Sequence, residues 1–445
     1  MEDKARYVAV MTLYDIETRG AFSNIKLNYY FKKHDLEAAD RGFATEILYG
    51  TIRWKKRIDY IIKKFSKVKM KNIPMWTLCT LRCSIYEIYF LDRVPDFATV
   101  NQAVDIIKIK DEKEAPYVNG MLRNILRNKD EFYNIKIQDK IQRIAVEYSQ
   151  QEWVVEKLIC EFGEKKAKSI MEMSNKAPKL TLRVNTLKSS IESLENSLLE
   201  KGCKVERGTL KDALRVKGFS ALEKSDEYTN GYCTVQDESS MLAAICLSPK
   251  PGEKVIDMCS APGGKSTYMA QIMDNKGEII AFDIYEKKLE LIRDAATRLS
   301  IDIIKEKLSD GTILDNDYVE YADKVLVDVP CSGLGIIRKK PEIRWNITQD
   351  GIKELSQIQM KILNNAARYL KPNGEMVYST CTITKEENED IIQAFLKENS
   401  NFTLVDISDK VPFNIDSAQK GYIKLLQGDY DTDGFFIAKL RKKDD

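Results

Sequence analysis

Residues 254–284 read KVIDMCSAPGGKSTYMAQIMDNKGEIIAFDI. Two apolar runs, KVIDM and EIIAFDI, flank a glycine turn and a helical-period stretch over 266–273, which predicts strand, turn, helix and strand in succession. The same alternation continues outward. Apolar runs recur at DIIK, KVLVDV, EMVYST, FTLVDI and GFFIAKL, with helical stretches at 287–299, 352–370 and 386–399. Strands alternating with helices predict an α/β domain with a parallel sheet covered on both faces. The last run, 434–440, has no helix before it and predicts an antiparallel addition. Such sheets bind ligands beyond the carboxyl ends of their strands. There the sequence places CSAPGGKST, Asp283, DVPCSGLG and TCT, with three of the nine cysteines among them.

Two further regions precede this domain. Residues 1–140 show helical-period apolar positions at 5–16, 43–51, 58–65, 78–91, 100–109 and 118–126, with breaks at Pro74, Pro95 and Pro116. They predict an all-α bundle. Residues 141–240 predict a small α+β module: a helix at 151–162, the strand LTLRVNT, a helix at 190–201, and short strands near 204–207 and 213–216. Its order resembles the RNA-recognition type of sheet. The α/β domain is then expected over 241–445.

Composition excludes several classes. Of 445 residues, 43% are hydrophobic and 31% charged, with 21 Gly and 11 Pro, so the chain is neither collagen-like nor disordered. Glu2 and Asp3 stand where a signal peptide needs positive charge, and the longest apolar run, 241–247, is far too short to cross a bilayer. A cytoplasmic chain without membrane association is expected. The single histidine, His34, lies in KKHDLEAAD and reads as a solvated surface residue. No His-based triad or zinc site has other material to build from, so no metal is expected. The nine cysteines form no Cys-x-x-Cys pair and read as reduced thiols. Nothing points to an obligate oligomer, and a monomer is expected.

The first loop narrows the ligand. Gly263 and Gly264 allow close backbone approach at a helix start. GGKS matches the end of a Walker A loop, but Cys259 stands where that motif requires its first glycine, and G-x-G-x-x-G is absent. A glycine turn followed some twenty residues later by an acid ending the next strand remains. Asp283 in that place accepts hydrogen bonds from ribose hydroxyls, the mark of a nucleoside-type cofactor.

VIDMCSAPGGKS, DVPCSGLGIIRKKPEIRW and VYSTCTITKEENE together resemble motifs of the RNA 5-methylcytosine methyltransferases, which use S-adenosylmethionine. The N-terminal segments ADRGFATEILYGTIRWKKRIDYII, LDRVPDFATVNQAVDI and YVNGMLRNILRN resemble a NusB-like RNA-binding domain. That pairing is similar to the RsmB (Sun) branch, which modifies 16S ribosomal RNA. The resemblance implies a Rossmann-like catalytic domain in which Cys381 is the nucleophile and Cys331 assists product release. It implies cofactor contacts from Cys259, Ser260, Ala261, Pro262, Gly263, Gly264, Lys265, Asp283 and Asp310, with Asp328 at the boundary of cofactor and target base. Near the C-terminus YDTDGFFIAKL carries Tyr430 and Asp431 where the family usually has His-Gly, while Asp433 and Gly434 stay in register.

A net charge of +2 does not by itself attract RNA, so distribution matters. Between positions 53 and 71 stand nine Lys or Arg and one acid, Asp59, with Trp54, Tyr60 and Phe65 among them. The second basic stretch follows Cys331, and Arg338, Lys339, Lys340 and Arg344 are expected to contact phosphates there. Methylation of transfer RNA is the close alternative. A non-catalytic NusB-like RNA-binding factor is the other, though a binding module has no need of both cysteines.

Overall fold

The structure, a computed structural model, describes residues 3–21, 23–219 and 222–444; Glu2 lies outside them. The chain divides into two compact units, Met1–Lys176 together with Lys340–Asn346, and Ala177–Lys339 together with Ile347–Asp445.

The first unit is helical. Its principal helices span Lys4–Arg19, Ser23–Lys33, Ala38–Phe65, Met75–Phe90, Asp96–Lys108, Ala115–Arg127, Lys140–Glu147 and Glu152–Ser174. The helix Met75–Phe90 is buried on every side from Trp76 to Ile88 and forms the centre of the bundle. Stretches 43–51 and 58–65 belong to one helix, because no Gly-Pro punctuation separates them. Pro116 does not end a helix. It occupies the first turn of Ala115–Arg127, where a missing N–H costs nothing. The unit also runs past the expected boundary at 140 to take in Glu152–Ser174, whose Val154, Val155 and Leu158 are buried. Asn175 Nδ2 donates to Tyr148 O at 2.8 Å, and Lys56 N donates to Ser149 Oγ at 3.0 Å, which tie this helix to the bundle. His34 departs from expectation. It is half-buried between the rings of Tyr7 and Tyr30, its Nε2 has no partner, and burial lowers its pKa.

The second unit opens with four antiparallel strands, β1 (Leu180–Val184), β2 (Lys204–Arg207), β3 (Ala213–Lys217) and β4 (Cys233–Val235), in the order β2-β3-β1-β4. The helix Ile191–Glu200 buries Leu194 and Leu198 with Leu182, Val184 and Leu214 in the core of this module. The larger sheet comprises β5 (Lys254–Asp257), β6 (Glu278–Asp283), β7 (Ile304–Leu308), β8 (Ala322–Asp328), β9 (Leu370–Thr380), β10 (Phe402–Leu404), β11 (Tyr422–Leu425) and β12 (Phe435–Lys442). Its order is β10-β12-β9-β8-β5-β6-β7, with β11 on β12. Strands β9, β8, β5, β6 and β7 are parallel, and β12 joins β9 antiparallel as its missing crossover helix requires. Neighbouring residues of β5 serve opposite faces: Val255 packs with Leu326 and Val377, and Ile256 with Val325 and Val327. The chain moves outward from β5 through β6 to β7, then returns to β8 on the other side of β5. The loops after β5 and β8 therefore diverge at a switch point, the usual place for a ligand crevice.

Candidate active site

The loop after β5 is built for close packing. Ser260 donates both its N–H and its hydroxyl to Phe282 O, each at 2.8 Å, which folds the loop over the end of β6. Gly263 has φ +95°, and a Cβ there would come within 3.2 Å of the Ile292 Cα. The following helix, Gly264–Ile272, is anchored from β1, where the fully buried Arg183 donates to Gly264 O at 2.6 Å and Thr267 Oγ1 at 3.0 Å. LTLRVNT reads as a strand in the sequence, and nothing local in it marks this arginine.

Two carboxylates stand at this loop. Asp283 is buried and accepts from Ala261 N at 3.3 Å and Tyr285 N at 3.1 Å. Asp257 accepts from Ser266 Oγ at 2.6 Å through Oδ2, while its buried Oδ1 has no partner. Burial pushes the Asp257 pKa up to about 7. A free acceptor and a second carboxylate beside a glycine turn suit a ligand carrying an ammonium group and ribose hydroxyls. The Cys259 thiol is raised far above its usual value by burial and by Asp257, Asp328 and Asp283, so its thiolate is disfavoured.

The other two loop cysteines meet. Cys331, after β8, and Cys381, after β9, lie with their sulfurs 3.2 Å apart. The hydrogen bond to Cys381, then burial, raises the Cys331 pKa well above that of a free thiol. The Cys331 thiol therefore keeps its proton. Gly335 makes the approach of the two loops possible. Its N–H donates to Cys381 O at 3.0 Å, and a Cβ would lie 2.1 Å from Gly434 O. Beside them Lys265 donates to Asp328 Oδ2 at 2.7 Å, and Ser379 donates to Oδ1 at 2.7 Å. Burial lowers the Lys265 pKa, but Asp328 and Cys381 outweigh it and the net shift is upward. A fixed ammonium therefore faces this group of sulfur and carboxylate.

One buried side chain spans both cysteine loops, and the sequence reading does not single it out. Glu387 is fully buried and accepts from Ser332 N at 2.7 Å, Ser332 Oγ, Thr384 Oγ1 at 2.6 Å and Gln359 Nε2 at 3.1 Å. Asn388 adds a bridge between Thr380 Oγ1 and Thr382 O. KEEN reads as a helix start, and only the fold shows that its acid turns inward.

The expected phosphate contacts take other partners. Arg338 is buried and pairs with Asp433, and Lys339 bridges Asp433 at 2.6 Å and Asp237 at 2.7 Å. Arg344 is wholly buried in the helical unit and donates to Arg53 O, Ser149 O, Asn175 Oδ1 and Ser174 O. Arg338 and Arg344 are enclosed and Lys339, half-buried, is held by two carboxylates, which corrects the expectation for them; Lys340 alone is exposed. Asp310 stands just after β7, where one of its oxygens accepts from Thr312 N and Oγ1. Among the described residues, no group of acids, thiols and imidazole suits a metal ion, and no helix is long and apolar enough to cross a membrane.

Comparison with known proteins agrees with this geometry. Residues 244–441 match the family model described as 16S rRNA methyltransferase RsmB/F, residues 3–127 the NusB family, and residues 150–223 the ferredoxin-like domain of RsmF/B-like methyltransferases. The probable ribosomal RNA small subunit methyltransferase B of Bacillus subtilis is 37% identical over 98% of each chain. The crystal structure of PH0851 covers 99% of each chain with a TM-score of 0.85 and 31% identity. That of NSun6 from Pyrococcus horikoshii with SFG has a TM-score of 0.60 and 25% identity, covering 66% of this chain and 98% of its own. The chain thus belongs to the RsmB/F family of S-adenosylmethionine-dependent small-subunit ribosomal RNA methyltransferases.

Proposed function

We propose that this protein methylates carbon-5 of one cytosine in 16S ribosomal RNA through a covalent Cys381–cytosine adduct. The observation that carries the reading is the pair of sulfurs, Cys331 and Cys381, 3.2 Å apart beside the Lys265–Asp328 ion pair.

Carbon-5 of cytosine is a poor nucleophile. The Cys381 thiolate adds to carbon-6, and the electron pair released makes carbon-5 an enamine-type nucleophile. Bound S-adenosylmethionine supplies an electrophilic methyl group on its sulfonium. Asp328 holds the cytosine edge, and Lys265 fixes the direction of that carboxylate. After transfer, carbon-5 passes its proton to a water molecule, the freed electron pair restores the carbon-5–carbon-6 double bond as the carbon-6–sulfur bond breaks, and Cys381 leaves as a thiolate stabilised by the Cys331 S–H. Asp257 and Asp283 hold the cofactor ammonium and ribose, and 259–265 form its cradle. A target base reaches such a crevice only when splayed out of its stack.

The test is a denaturing gel of labelled 16S RNA incubated with S-adenosylmethionine and wild type, Cys331→Ala or Cys381→Ala. A denaturation-resistant adduct with Cys331→Ala and none with Cys381→Ala is expected. The reverse pattern exchanges the two roles. Methylation of transfer RNA in place of 16S RNA would refute the assigned substrate.

A further inference from the structure

The structure sorts the basic stretch 53–71 of the helical unit into spent and unspent charge. Arg57 donates to Glu147 O and Phe132 O, and Lys55, Lys56 and Lys64 pair with Glu17, Glu152 and Glu131. Lys63, Lys67, Lys69 and Lys71 are exposed, and among the described residues no acid lies within ion-pair distance of them. The second basic stretch is largely enclosed, so the unneutralised charge lies here.

Lys63 also lines a cavity of about 400 Å³ within the helical unit, with Lys55, Lys56, Tyr60, Glu152, Trp345 and Asp59, whose charge is met by Arg82. Trp345 is fixed, because its Nε1 donates to Ile52 O at 2.8 Å. Tyr60 is held by Lys136 N, which donates to its hydroxyl at 3.1 Å. The walls are mainly apolar and the cations are ammonium groups on long stems. Lys55 Nζ lies 5.8 Å from the centroid of the Trp345 ring, and aromatic rings beside lysines are the chemistry that receives an unpaired nucleotide, with base against ring and phosphate on ammonium.

We propose that this cavity is a nucleotide subsite. It takes one unpaired nucleotide of the substrate RNA, with flanking phosphates on Lys63 and on the lysines at 67, 69 and 71. The inference rests on the reading of RNA as substrate and adds a contact remote in sequence from the cysteines. An acidic peptide would satisfy the lysines but would leave the aromatic walls without a matching group.

The full chain is titrated with a fluorescent ten-residue oligouridylate at several salt concentrations, and anisotropy reports binding. Each phosphate contact on a single strand adds about 0.7 to the log–log salt slope. Lys63→Ala with Lys67→Ala should therefore lower the slope by about 1.4, with the melting temperature unchanged. Trp345→Leu should weaken binding about tenfold or more. Should that variant melt early, the lysine pair still decides the matter. A wild-type slope in the double lysine variant overturns the inference. So does no binding by wild type, or displacement of the oligonucleotide by oligoglutamate of equal charge. Wild-type binding with the expected slope but no methyl transfer would sink the catalytic reading and leave the subsite standing.

Discussion

Glu387 is the side chain whose loss should separate the two cysteine loops. Four donors converge on it, and only donors, so both carboxylate oxygens act as acceptors. In Glu387→Ala the Ser332 hydroxyl has recourse, since Ser332 Oγ already lies 2.7 Å from Thr382 Oγ1. Gln359 Nε2 retains Pro330 O at 3.0 Å. The Ser332 N–H and the buried Thr384 hydroxyl have no such alternative. Each orphaned buried donor costs about 1–3 kcal/mol, so the two together bring the total to about 3–5 kcal/mol. At about 2–4 °C per kcal/mol for a unit of this size, the melting temperature should fall by roughly 10 °C. Glu387→Gln keeps one acceptor and should cost about 1–2 kcal/mol. The catalytic effect is larger than the stability effect, because a 1 Å misplacement of a reacting group costs about a hundredfold. Single-turnover methyl transfer with labelled cofactor should fall in both variants below the melting temperature, with cofactor affinity nearly unchanged. A Glu387→Ala protein that melts with wild type and transfers methyl at the wild-type rate would mean that Glu387 does not hold the two cysteine loops together.

Other outcomes follow from the same geometry. Arg344→Met should destabilise the helical unit by about 1–3 kcal/mol, the cost of buried carbonyls left without their donor, and leave the salt slope for RNA unchanged. Asp257 has a folded pKa of about 7 against an ordinary 3.8, so between those values the folded chain binds the extra proton. Stability in the absence of cofactor should fall as pH rises from about 4 to 7, and denaturant unfolding of Asp257→Asn should lack that slope. Lys265→Met removes the partner of Asp328 and should lower adduct formation at least about tenfold on the denaturing gel. In alkylation with iodoacetamide followed by mass spectrometry, Cys259 should react after Cys381, because burial and three carboxylates disfavour its thiolate.

Strand runs and glycine turns were legible because they are local. β5, β6, β8 and β9 fall where KVIDM, EIIAFDI, KVLVDV and EMVYST stand, and the antiparallel place of β12 followed from the missing helix before it. The cysteines at strand ends could be placed by the same reading. What escaped is long-range. Arg338 and Lys339 read as free cations because their acids, Asp433 and Asp237, lie about a hundred residues away in sequence. Arg344 reads the same way because its acceptors are mostly carbonyls, which have no letter in a sequence. Charge counting sees donors and is blind to backbone acceptors. The helix Glu238–Leu247 was missed for the opposite reason: it is apolar on all sides and shows no period.

The excursion Lys340–Asn346 has a consequence for the order of events during synthesis. Arg344 satisfies carbonyls of Arg53, Ser149 and Ser174, and Trp345 that of Ile52, yet both are made long after those residues. Domains ordinarily fold as they emerge, the first before the second. Here the amino-terminal bundle leaves the ribosome with its keystone still untranslated. Until the chain has reached residue 346, the carbonyls of Ile52, Arg53, Ser149 and Ser174 are without these donors.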